Sequence, residues 1–202
     1  MIMATKKTTK TASALDQLER LQPEDRAAWR AWLAKHHETS RGVWLVTYKK
    51  SSGKQTFDYE QAIEEALCFG WIDSKASKLD DERTMLLYTP RKPKSVWSKP
   101  NKERVARLLA AGRVEPRGLD AIELAKRTGA WDALNDSDAL KVPDDLAARL
   151  DALPNARAHF EAFPKSTKHM ILEWIRTAKK PETRAARIEQ TATLAAKNLR
   201  AR

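Results

Sequence analysis

The sequence predicts an α+β protein: a small antiparallel sheet of about three strands packed with helices, followed by an all-helical C-terminal half. Three observations carry that expectation. Val43 to Tyr48 is a short run of β-branched and aromatic residues, too short for a helix and right for a strand. Trp71 to Ser77 and Arg83 to Thr89 read as two more short strands, and the polar Leu79-Asp80-Asp81-Glu82 between them makes an antiparallel hairpin. From Ser98 onward the apolar residues recur at helical spacing.

Residues 1–12 are low in complexity and read as a disordered basic tail. Pro23 to His37 is expected to be helical, with Pro23, Glu24 and Asp25 suited to a first turn and Trp29, Trp32, Leu33 and His36 on one face. Arg41-Gly42 breaks that helix before the first strand, and Ser51-Ser52-Gly53 turns the chain after it. Asp58 to Phe69 returns to helical period, with Ile63, Ala66 and Leu67 inward, Glu60, Glu64 and Glu65 outward, and Gly70 as the stop. Pro90 and Pro93 end the hairpin.

Two helices follow, one from Ser98 to about Ala111 and one from Pro116 to Thr128, closed by Gly112 and Gly129. Asn135 to Val142 reads as a polar connector. Pro143-Asp144-Asp145 opens a helix with Leu146, Leu150 and Leu153 inward. Ser166 is the expected N-cap of a helix whose stripe is Met170, Ile171, Trp174, Ile175 and Ala178. Pro181 starts the last helix, which uses Ile188, Ala192, Ala195 and Leu199. The expected organisation is a tail over 1–12, an α+β domain over 13–134 and a helical module over 135–202 packed on it.

The 202 residues are 42% hydrophobic and 32% charged, the balance of a well-solvated globular chain. No apolar run approaches the roughly 20 residues that span a bilayer. The opening MIMATKKTTKTAS has charge but no apolar core, so a cytoplasmic location is expected rather than export. Cys68 is the single cysteine, which excludes an internal disulfide.

The net charge of +11 favours anionic partners. It is concentrated in two places: Arg91 to Arg107 holds seven basic residues against Glu103 alone, and residues 141–202 carry 13 basic against 7 acidic side chains.

Few motifs invite chemistry. No phosphate-binding or dinucleotide glycine motif, nucleophile elbow or HExxH is present. Cys68 lies between Leu67 and Phe69 near a helix end, where the helix dipole disfavours a thiolate, so a buried structural thiol is expected. His36 and His37 point about 100° apart on a helix and make a poor metal pair, so no metal and no cofactor is expected. Asp73 admits two readings, a structural ion pair with a residue such as Arg91 or a ligand contact.

The segment from Arg91 to Lys102 is the strongest functional candidate. Its prolines hold it out of regular structure. It presents Arg91, Lys92, Lys94, Lys99 and Lys102, with Trp97 as an aromatic face and Ser98 or Asn101 as a helix cap. Either it is a charged loop with Trp97 plugging the core, or Asp73, Arg91, Lys94, Trp97 and Asn101 form an anion site at a helix start. Lys179, Lys180, Arg184 and Arg187 form a second basic set, a solvated helix face or a nucleic-acid surface.

Several ordered segments carry a family resemblance. They are Trp32-Leu33 with His36-His37, Gly42-Val43-Trp44-Leu45, Lys49-Lys50-Ser51-Ser52-Gly53, the run from Glu65 to Ser74, the run from Tyr88 to Ser98, and Ala178-Lys179-Lys180-Pro181-Glu182-Thr183-Arg184. Over about residues 25–200 the chain resembles the YdeI/OmpD-associated, or bacteriocin-protection, family. The resemblance implies a bacterial protein whose family names point to bacteriocin protection or association with an outer-membrane porin, and it carries no catalytic residues with it; a stress- or bacteriocin-protection factor is the expected role. The expected function is therefore non-catalytic binding of an anionic ligand or partner. Nucleic-acid binding through the basic patches is the first alternative, and an enzyme with a site around Asp73 and Arg91 is the second.

Overall fold

A computed structural model of the chain describes Leu15, residues 17–54 and residues 58–202. The expected tail over residues 1–12 lies outside the described residues. The fold is α+β, as the sequence predicts, with the helices dominating the C-terminal half. It divides into two compact units. The first comprises residues up to Ser95 together with Glu103–Leu124, and the second comprises Val96–Lys102 and Ala125–Arg202.

The first unit is built on a four-stranded sheet in the order β1-β2-β4-β3. Its strands are β1 (Arg20–Leu21), β2 (Val43–Tyr48), β3 (Trp71–Lys78) and β4 (Arg83–Pro90). β2, β4 and β3 pair antiparallel. The strand unforeseen in the sequence is β1, two residues paired parallel to β2, too short to show any alternation. Trp44, Val46, Met85 and Leu87 form a buried cluster on one sheet face, with Leu18 and Leu79 packed against it. The register Val43↔Tyr88 and Leu45↔Leu86 puts those four side chains on the other face.

Helix α1 (Arg26–His36) packs against α2 (Tyr59–Cys68), and α2 against β3. α1 begins three residues later than Pro23, because the Asp25 carboxylate caps it by accepting from the Ala28 N–H at 2.8 Å. Trp29 is fully buried; its indole N–H donates to the Ala62 carbonyl at 3.0 Å and its ring meets Tyr88 edge-on at 5.4 Å. α2 opens with a capping box, Asp58 and Gln61 each satisfying the other's backbone N–H. Its end is gripped by α4 (Pro116–Arg127): the Glu115 N–H donates to the Cys68 carbonyl at 3.0 Å. A Cβ on Gly118 would lie 2.2 Å from that same oxygen, so only glycine lets the two helices come this close.

Glu65 corrects the expected helix face. It is fully buried, not outward, and receives Arg26, Arg30 at 2.8 Å and Arg113. Burial alone would raise its pKa, but the hydrogen bonds from Arg30 and Arg26 prevail and hold it below the ordinary glutamate value.

In the second unit the core is Leu146, Leu150, Phe160, Ile171, Ile175, Ile188 and the small Ala192 and Ala195. These come from α6 (Asp144–Asp151), α7 (Ala156–Ala162), α8 (Lys165–Arg176) and α9 (Pro181–Ala196). The sequence reading missed α7, which is short and sits between Pro154 and Pro164. It also read as plain connector the stretch that holds α5 (Asn135–Asp138). Ser166 does not cap α8; Pro164 stands at that position and its carbonyl accepts the Lys168 N–H at 3.0 Å. Met170 and Leu199, expected inward, are 51% and 53% exposed, and Thr167, Ile171, Leu172 and Ile175 form the buried stripe of α8 instead. Helix α3 (Lys99–Ala110) carries the point where the chain passes from the second unit back to the first.

Candidate ligand site

The β3–β4 pairing sets Asp73 directly opposite Tyr88, both near the end of the hairpin away from its turn. Opposed residues in a sheet share a face, so both project toward the side that α2 covers. The first residue of α2, Tyr59, reaches across: its hydroxyl donates to the Asp73 carboxylate at 3.2 Å. Burial raises the Tyr59 pKa, and the Asp73 charge raises it further. Arg104 of α3 lies with its guanidinium carbon 5.9 Å from the Tyr59 ring centre and is held by Glu60 at 2.6 and 2.8 Å.

Tyr88 is fully buried, and its hydroxyl has no hydrogen-bond partner among the described residues. Burial pushes its pKa strongly upward, with the Asp73 charge adding to the effect, so the phenol stays protonated.

Where β4 ends at Pro90, the Arg91 N–H donates to the Gly70 carbonyl at 2.9 Å. That bond fixes the side chain beside the sheet, where one guanidinium nitrogen approaches the Ser95 carbonyl at 3.4 Å. Burial lowers the Arg91 pKa to about 10, against the opposing attraction of Asp73. At neutral pH the group is still a cation. Lys92 to Ser95 then closes a turn, the Ser95 N–H donating to the Lys92 carbonyl at 2.9 Å and the Ser95 hydroxyl accepting the Lys92 N–H at 3.2 Å. The side chains of Lys92 and Lys94 are exposed.

Of the five residues singled out in the sequence, Asp73 and Arg91 thus come within reach of each other's charge in the first unit, and Lys94 stands on the exposed turn that follows. Trp97 and Asn101 belong to the second unit. Trp97 is 1% exposed, lies 5.0 Å from the Trp131 ring and donates its backbone N–H to Ala130 at 3.3 Å. Asn101 is buried. Sequence reasoning missed Tyr59, Tyr88 and Arg104. The signal for Tyr88 was present, since pairing the two predicted strands across their polar turn sets it near Asp73.

The remaining candidates resolve as follows. Cys68 is fully buried and its thiol is pushed up by burial and then by Glu65, which suits packing rather than nucleophilic attack. His36 stacks on Trp32 at 4.9 Å. Among the described residues no group of three His, Cys, Asp or Glu side chains is arranged as a metal set, and no helix is long and apolar enough to cross a membrane. In the second basic set, Arg184 is held by Asp145 at 2.7 and 2.9 Å, and Arg187 lies against the Trp174 ring at 5.1 Å, while Lys179 and Lys180 are exposed.

Two family matches cover most of the chain. Residues 21–121, half of its length, match a family described as Domain of unknown function (DUF8412). Residues 139–198 match the family described as Bacteriocin-protection, YdeI or OmpD-Associated. No curated protein and no solved structure matches the chain.

Proposed function

From a chain that belongs to the DUF8412 family over its sheet-bearing half and whose C-terminal helices match the YdeI/OmpD-associated family, we propose a non-catalytic cytoplasmic protection factor that binds a small anionic ligand at Arg91. The observation that carries this reading is the placement of Arg91 at the end of β4, anchored by its N–H on the Gly70 carbonyl and followed at once by the turn with the exposed Lys92 and Lys94. The paired donors of the guanidinium suit a phosphate or carboxylate. Asp73 orients Arg91 from the neighbouring strand, and Lys92 and Lys94 on the exposed turn supply further positive charge. The family description supports a protective role, and the basic net charge supports an anionic partner.

Inorganic phosphate and pyrophosphate are the first probes, read by thermal shift and by the amide resonances of residues 91–95. Binding that falls at least tenfold in Arg91→Gln and two- to threefold in Lys94→Ala, without change in the far-ultraviolet circular dichroism, is the expected result. Equal binding by Arg91→Gln and the parent would overturn the site.

A further inference from the structure

In the helical unit, the half-buried Trp174 ring of α8 carries two guanidinium groups. Arg187 of α9 and Arg202 each lie 5.1 Å from its centre. The two cations are therefore no farther apart than twice that distance, where like charges repel. Neutral groups alone hold Arg187 in place: it donates to the Trp174 carbonyl, one of the last in α8, and to the Thr177 hydroxyl at 3.2 Å. Among the described residues neither arginine has a carboxylate partner. Four other arginines of the unit do: Arg149 on Glu189, Arg157 on Asp151, Arg176 on Glu173 and Arg184 on Asp145. The unit thus pairs its guanidiniums with acids elsewhere and brings no acid to this ring. Exposed Lys179 and Lys180 follow α8 closely, and exposed Lys197 and Arg200 lead up to Arg202.

We infer that Arg187 and Arg202, braced on Trp174, bind single-stranded nucleic acid. A guanidinium offers in-plane donors to a phosphate and a flat face on which an unpaired base can stack. Two of them on one ring can meet consecutive phosphates of one strand, and the neighbouring lysines extend the positive track along it. The indole, already occupied by both arginines, is their support and not itself the stacking platform. That arrangement favours nucleic acid over an anionic membrane, which would call for a tryptophan free to enter the headgroup layer. A single strand is favoured over a duplex because its base faces are open to the guanidiniums. The inference does not depend on anion binding at Arg91, which belongs to the other unit.

The probes are an oligothymidylate of about fifteen nucleotides, its duplex with oligoadenylate, and phosphatidylglycerol vesicles, each titrated into the whole protein at several salt concentrations. The single strand should bind more tightly than the duplex or the vesicles, shift the Trp174 indole N–H resonance, and weaken steeply with salt. Arg187→Gln and Arg202→Gln should each weaken it about three- to tenfold and lower the slope of log K against log salt by about 0.7, the share of one phosphate. Arg202 is exposed, so its variant tests the site without threatening the fold. Trp174→Leu keeps both charges but removes their support; it should lower affinity with the salt slope retained. Arg157→Gln, in the same unit but paired with Asp151, and Arg91→Gln should each bind within about twofold of the parent. No binding of the oligonucleotide at low salt would overturn the inference. So would a preference for duplex or vesicles, or an equal loss in Arg157→Gln and Arg187→Gln, which would trace binding to net charge alone.

Discussion

Glu65 joins three stretches of chain through one carboxylate. Arg26 and Arg30 reach it from α1, 39 and 35 residues away in sequence, and Arg113 from the turn before α4, 48 residues away. Because its pKa is held low in the fold, the folded state binds its proton more weakly than the unfolded chain does. Its contribution to stability is complete above the usual glutamate pKa of about 4.3 and is lost as pH falls through the lower folded value. Glu65→Gln should therefore lower Tm at pH 7 and flatten its fall between pH 5 and 3, which thermal melts across that range would measure. Glu65→Ala should cost about 3 kcal/mol, since it leaves three arginines facing an empty partner. A helical wheel cannot find this residue, because Glu64 and Glu65 look alike until distant arginines are brought beside one of them. Cys68, in contrast, was legible, since its apolar neighbours and its place at a helix end both argue for burial. Cys68→Ser should cost about 1–2 kcal/mol, and thiol reagents should label the native chain far more slowly than the unfolded one.

At the scale of elements, the closest approach in the first unit is that of α4 to the end of α2. Gly118→Ala places a Cβ 2.2 Å from the Cys68 carbonyl, a backbone atom that cannot swing away as a side chain would. It should cost about 2–3 kcal/mol and break the Glu115 hydrogen bond to that oxygen, seen as faster amide exchange at Glu115. Most elements were legible because each satisfies a local rule: β2 by its β-branched run, α2 by its helical period from Asp58 to Phe69 and the Gly70 stop, and α9 by Pro181 at its first turn. The misses obey no such local rule. β1 exists through its pairing with β2, and α7 is shorter than the window over which helical periodicity can be counted. Met170 shows the limit of periodicity itself, since an apolar residue at an acceptable angle is left 51% exposed while Thr167 is buried in its place. The site suffered the same limit: Asp73 and Arg91 announced themselves by type, whereas Tyr88 acquires meaning only from register and Tyr59 only from the packing of α2 on the sheet.

For the whole molecule, two units with separate cores predict two classes of stability rather than a single cooperative transition. Phe160→Ala removes a fully buried ring from the helical core and should cost that unit about 3–5 kcal/mol. Hydrogen exchange should then show lost protection across α6 to α9 while the amides of β2 and β4 keep theirs. Uniform loss over both units would contradict the division. Sequence reading anticipated two parts from the polar stretch near residue 135, but the contacts set the division between Leu124 and Ala125 and assign Val96–Lys102 to the helical unit. Composition cannot reveal that assignment, which rests on Trp97 finding Trp131.

That assignment makes the two units interleaved along the gene. The reading frame enters the helical unit at Val96, leaves it at Glu103 and re-enters it at Ala125. No single cut separates them cleanly. A fragment ending at Leu124 would carry Trp97 away from its ring partner, and one beginning at Ala125 would leave Trp131 uncovered where Trp97 belongs. Neither half can therefore be transplanted as a plain cassette, and any recombination joining either family segment to another protein must bring the stretch around Trp97 with the helices rather than with the sheet.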